Sequence, residues 1–223
     1  MLNECGCCGS RERDNEYIAE TARKIFERWN SALLTGNSKN VAKLYSKDAT
    51  FLPTVSGEFK RGQEGAEKYF EHFLEKHPNG KIVKEETDMP ASDCIVHWGL
   101  YNFEVDGENG KRETVEARFT FVYKKNADGE WEIIHHHSSM KADESYERFL
   151  EEHPTGEIIE KEEIQKLGAG CNLHSGLYKF ETDLPDGKKE TTEARFSSVI
   201  QADARGNDKT TYQHLSKRPE VVH

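Results

Sequence analysis

The sequence predicts an α+β cone: a curved antiparallel sheet wrapped around one long helix, followed by a partial repeat of that sheet. Three observations carry this. Between residues 16 and 34 the apolar positions recur at three and four, the spacing of an amphipathic helix. Beyond residue 80, runs rich in β-branched and aromatic residues are separated by Asp-Gly and Asn-Gly pairs, which mark antiparallel hairpins. Three motifs then recur in the same order 76 or 77 residues later.

Residues 1–15 show no periodicity and read as a flexible leader containing Cys5, Cys7 and Cys8. Tyr17, Ile18, Ala22, Ile25, Phe26, Trp29 and Leu33 form one apolar stripe on a helix that ends near Gly36. Residues 39–45 read as a short second helix. Residues 49–56 read as a strand, and Pro53 near its end places it at an edge or a bulge, because proline cannot donate to a ladder. Gly57 and Gly62 bracket a second short strand. Residues 64–76 form a third helix with Ala66, Tyr69, Phe70, Phe73 and Leu74 on one side. Residues 81–87, 94–105, 113–124 and 130–139 are then four strands, completing a domain over residues 16–141.

Residues 142–223 repeat part of this. Phe73-Leu74-Glu75-Lys76-His77-Pro78-Asn79-Gly80 returns at residues 149–156, Gly99-Leu100-Tyr101 at residues 176–178, and Glu116-Ala117-Arg118-Phe119 at residues 193–196. This second unit has no counterpart of residues 16–68 and lacks the N-terminal helices. A four-stranded sheet with no helical layer exposes its apolar face. It therefore packs on the first domain, pairs with another chain, or stays poorly ordered.

Composition excludes several function classes. A net charge of −10 argues against nucleic acid as a partner, since phosphate binding needs a basic surface, and against anionic membranes. No apolar run approaches the ~20 residues of a membrane span. No apolar h-region follows Met1, so no secretory signal is read there. Cys94 and Cys171 read as small core residues, and no disulfide framework emerges from the five cysteines.

The chemistry points to one strand end, His135-His136-His137-Ser138-Ser139. Side chains alternate along a strand, so His135, His137 and Ser139 share one face while His136 and Ser138 share the other. In the second unit this run becomes Tyr212-Gln213-His214-Leu215-Ser216. The replaced pair, His136 and Ser138, lies on a single face, which marks that face as the cavity lining of the first domain. A zinc reading stands beside this one. His135 and His137 suit two ligands, with a third from His97, His72 or a water-bridged carboxylate.

Residues 16–141 resemble the cone-shaped domain of the nuclear-transport-factor-2-like (NTF2-like) superfamily, in the branch named after the association domain of calmodulin-dependent kinase II. Within it, Leu52-Pro53-Thr54-Val55-Ser56, Tyr69-Phe70-Glu71-His72-Phe73-Leu74 and the His-His-His-Ser-Ser run resemble the iota-class carbonic anhydrases, some of which carry tandem copies of the domain. The resemblance implies a lyase that reversibly hydrates carbon dioxide to bicarbonate in the first domain, with no metal or other cofactor. Thr54, Tyr69, His136 and Ser138 are then the catalytic residues, with Arg118 and Ser139 binding the anionic product. His136 is expected to accept the proton, and the second unit to be inactive. The alternative is a non-catalytic association module of the kinase-hub type. Both readings imply a homodimer through an outer sheet face bearing Trp98, Tyr101 and Phe103. The compartment stays open between plastid and cytoplasm.

Overall fold

The computed structural model describes residues 8–107, 110–141, 157–158, 163–183, 187–203 and 205–219. Helix α1 (Cys8–Leu34) begins inside the segment expected to be a leader. Residues 8–15 contain no proline, and once a helix is nucleated each added residue gains a hydrogen bond. Cys5 and Cys7 lie outside the described residues. The stripe of α1 is buried as Ala22, Ile25, Phe26, Trp29 and Leu33. Gly36 adopts a left-handed φ of 64° and returns its N–H to the Leu33 carbonyl at 3.0 Å, closing the helix.

Asn37 caps α2 (Ser38–Ala42), its side chain accepting the Lys39 N–H. This helix stops at Ala42, short of Tyr45, because Tyr45 opens β1 (Tyr45–Leu52). The spacing of Val41, Leu44 and Tyr45 suits helix or strand, and pairing of Tyr45 with Ile133 decides it. After β2 (Lys60–Arg61), helix α3 (Gly62–Phe73) buries Ala66 and Phe70 against the sheet. Four long strands follow: β3 (Asn79–Ala91), β4 (Cys94–Asp106), β5 (Arg112–Lys125) and β6 (Trp131–Met140).

These strands form one sheet in the order β2-β1-β6-β5-β4-β3. All pairs are antiparallel except β1 with β6. Curvature has a local cause. Ile82 pairs with Tyr101 and Lys84 with Leu100, so Val83 is an extra residue in β3. Opposite it, a Cβ on Gly99 would sit 1.9 Å from the Lys84 carbonyl oxygen, so only glycine permits the bend. Parity along β4 corrects one expectation. Tyr101 and Phe103 point into the cone core with Ile95 and Val105, and only Trp98 points outward with Cys94 and Val96.

The second unit comprises β7 (Glu157–Ile158), β8 (Glu163–Gly168), β9 (Cys171–Asp183), β10 (Lys189–Ala202) and β11 (Asp208–Lys217). β11, β10 and β9 run side by side, and β7 and β8 share the other edge of β9. The bounds of β9, β10 and β11 are those of β4, β5 and β6 displaced by 77 residues. The recurring residues 149–156 lie outside the described residues. Of the three fates open to this sheet, the structure takes the first. Leu167, Cys171, Leu173 and Val199 pack on Cys94, Val96 and Val122 of the first sheet's outer face.

Candidate functional site

β6 divides the histidine run as alternation requires. His136 and Ser138 turn into the cone, where a pocket is lined by Trp29, Phe51, Thr54, Tyr69, Tyr101 and Phe103 among others. Its free space is about 10 Å³ for the centre of a water-sized molecule, room for about one water.

The pocket's polar groups converge. Ser138 Oγ is hydrogen-bonded to Thr54 Oγ1 and to the Tyr101 hydroxyl, and Thr54 also meets Tyr101. Thr54 sits in the loop that follows β1, Ser138 on β6 and Tyr101 on β4, so three elements place one hydroxyl cluster. Tyr69, from α3, brings its hydroxyl to the backbone of Val55. Burial raises the Tyr69 and Tyr101 hydroxyl pKa values, so both remain protonated donors at neutral pH.

His136 is held on three sides. Its ring stacks on Phe121 at 3.9 Å and Phe51 at 4.8 Å, and meets the edge of Trp29 at 5.5 Å. Burial, reinforced by neighbouring His135, holds its pKa well below the usual histidine value. The imidazole is therefore neutral, and its tautomer follows from its partners. Trp29 Nε1–H can only donate, and its partner is the Tyr45 hydroxyl at 3.3 Å. Tyr45 is left to donate its own proton to His136 Nδ1, 2.8 Å away. Nδ1 is thus the acceptor and Nε2 carries the hydrogen. That Nε2 is buried without a partner. The pocket accordingly contains a preset N–H donor, which corrects the expectation that His136 accepts a proton.

The opposite face of β6 looks into the seam between the two sheets. His135 is bonded through Nδ1 to Thr50 at 2.6 Å and through Nε2 to Ser197 at 2.8 Å. His137 is bonded to Ser197 and Ser216, each at 2.9 Å. Ser139 pairs with His214 Nε2 at 2.9 Å. Burial lowers the His135 pKa to about 3. Burial, then His214 and Arg195, hold His137 well below its usual value. Every ring nitrogen of His135 and His137 has a hydroxyl partner, so a metal would have to displace a buried hydrogen bond to reach either ring. His97 is bound to Glu85 at 2.9 Å, and His72 is exposed on α3 beside Glu75. Among the described residues no three metal-ligating side chains converge. The donor set does not fit zinc.

Two expected product-binding residues also lie on this outer side. Arg118 donates from Nη2 to the Leu215 carbonyl at 2.7 Å, and Ser139 is held by His214. Their parity on β5 and β6 turns them from the pocket. Sequence reasoning missed three contributors: Tyr45, Tyr101 and Arg195. Tyr101 was legible by parity, being an odd-numbered neighbour of inward-facing Phe103. Arg195, almost wholly buried, reaches across the seam from β10. Its Nη1 donates to the carbonyls of Pro53 and Ser56, its Nη2 to that of Ser138 at 3.1 Å, and its Nε to Ser216 Oγ at 3.1 Å. It thus grips both ends of the Thr54 loop.

The helix-filled cone with a polar pocket defines an NTF2-like domain. A solved NTF2-like protein with a cystatin-like fold from Novosphingobium aromaticivorans shares it with a TM-score of 0.50 at 11% identity, over 67% of this chain and 98% of that one. Residues 19–142 match the model of the calcium/calmodulin dependent protein kinase II association domain, and the chain belongs to this family. A putative calcium/calmodulin dependent protein kinase II association domain from Xanthomonas campestris is 45% identical, with a TM-score of 0.54, covering 56% of this chain and 89% of that one. No curated protein matches the chain significantly. Among the described residues no helix is long and apolar enough to cross a membrane.

Proposed function

We propose that the first domain is a metal-independent carbonic anhydrase acting at the pocket between Thr54, Ser138, Tyr101 and His136. The observation that carries this is the buried Nε2–H of His136, without a partner in the protein, in a pocket whose lining also includes the Thr54, Ser138 and Tyr101 hydroxyls. A scaffold has no use for a buried donor left unpaired, which costs on the order of 1–3 kcal/mol.

Hydration forms one C–O bond while water gives up one proton. The cluster's hydroxyls both donate and accept, so they orient a water with a lone pair toward carbon dioxide. Phe51, Phe70, Phe73 and Phe103 supply an apolar seat. His136 Nε2–H donates to the oxygen that becomes negative, a fixed dipole in a dry site. Tyr69 closes the pocket beside Thr54. No carboxylate lines the pocket, so the proton leaves along the hydroxyls toward half-buried Thr54, and buffer takes it up. Arg118 and Ser139 take no part.

The test is stopped-flow hydration by chelator-treated protein beside Thr54→Val and Ser138→Ala. Wild-type activity should survive chelation and rise with buffer concentration to a plateau. Each folded variant should lose about 100-fold, the usual cost of one transition-state donor. Wild-type protein without hydratase activity would overturn the proposal. It would favour the second reading, a non-catalytic association domain, for which the pocket's small size speaks.

A further inference from the structure

Eight of the contacts across the seam form four matched pairs, each related by the same 77-residue displacement. Thr120 is bonded to His214 Nδ1 at 2.9 Å, and Ser197 to His137 Nδ1 at 2.9 Å. Ser139 meets His214 Nε2, and Ser216 meets His137 Nε2, both at 2.9 Å. Arg118 donates to the Leu215 carbonyl, and Arg195 to the Ser138 carbonyl. Tyr212 is bonded to Thr120, and His135 to Ser197. His137 and His214 meet each other, rings stacked at 3.8 Å and 9°. An interface in which each residue and its partner exchange roles is isologous, the geometry of a two-fold homodimer, with the self-meeting residue on the axis.

The same face is apolar where it is not hydrogen-bonded, through Cys94, Val96 and Val122 against Cys171, Leu173 and Val199. These six are three pairs of counterpart positions, Cys94 and Cys171, Val96 and Leu173, and Val122 and Val199. The second unit keeps Cys94, Arg118, Val122, His137 and Ser139 of this face as Cys171, Arg195, Val199, His214 and Ser216, whereas His136 and Ser138 of the pocket become Gln213 and Leu215. A unit that has no counterpart of residues 16–68, yet keeps these seam residues, is suited to pairing.

We infer that the outer sheet face of the first domain is a self-complementary dimerisation surface, and that the second unit occupies it from within the same chain. The chain is then a monomer carrying an internal pair. The homodimer expected from sequence is replaced by this arrangement, since its surface is filled.

Sedimentation velocity over a wide concentration range tests the first part. The expected result is one species at the chain mass of 25.6 kDa; a species of twice that mass overturns the inference. The second part is tested by prising the seam open. Ser197→Arg places a guanidinium between His135 and His137, and Ser216→Arg does so beside His137 and Arg195. Each variant should double in mass while keeping the helical far-ultraviolet signal of α1 and α3, because the freed face pairs with its copy in another chain. A variant that keeps that signal and stays monomeric overturns self-complementarity. The wild-type mass stands as a test even if a variant fails to fold.

Discussion

Tyr45 accepts the indole N–H of Trp29 and donates its own O–H in a hydrogen bond to His136 Nδ1. Removing that hydroxyl therefore leaves a buried donor and a buried acceptor unpaired. Tyr45→Phe should destabilise the fold by about 1–3 kcal/mol, measured by urea unfolding. It should also release the tautomer. Nitrogen NMR of the wild type should show hydrogen on His136 Nε2, and the variant a mixture of the two tautomers. If hydration is the activity, it should fall with the Nε2–H population. A wild-type ring protonated at Nδ1 would refute the donor assignment.

At the level of elements, β10 of the second unit holds the Thr54 loop of the first. Arg195→Met would leave the carbonyls of Pro53, Ser56 and Ser138 short of a donor, at roughly 1–3 kcal/mol for each one left unpaired. Because a small displacement of a positioned group costs about 100-fold, hydration should drop by 10- to 100-fold. Arg195→Lys, which keeps the charge without the fork, should recover only part of it. Unchanged activity in folded Arg195→Met would show that the loop needs no such hold. Strand parity made much of this scale readable. It separated His136 and Ser138 from His135, His137 and Ser139, and it would have excluded Arg118 and rescued Tyr101 had it been applied to β4 and β5. Arg195 was unreadable, because its partners come from a loop with no counterpart in its own unit. The start of α1 was missed because a polar helical turn has no apolar period to reveal it.

For the whole molecule, four neutral imidazoles sealed in the interior tie stability to pH. His135, His136, His137 and His214 all have pKa values lowered by burial, while in the unfolded chain they titrate near 6.5. Below that value the unfolded state binds more protons, so stability is full above about pH 6.5 and falls as pH drops toward the folded values. The loss should reach about 1.4 kcal/mol per pH unit for each histidine. Chemical denaturation at pH 8, 6 and 5 measures it, and a flat profile would mean that the rings are hydrated or already charged. The repeat itself was plain in the sequence, and so was the missing helical layer. The docking was not, because a face that fits its own copy looks, residue by residue, like any half-buried sheet.

The covalent link between the two units changes what the seam depends on. Two free subunits separate on dilution, whereas a tethered partner is present at an effective concentration on the order of millimolar however scarce the protein is. The Thr54 loop, gripped by Arg195 from the tethered side, is then assembled in every molecule from the moment it folds. Its integrity is independent of expression level, and partners from related chains cannot exchange into it.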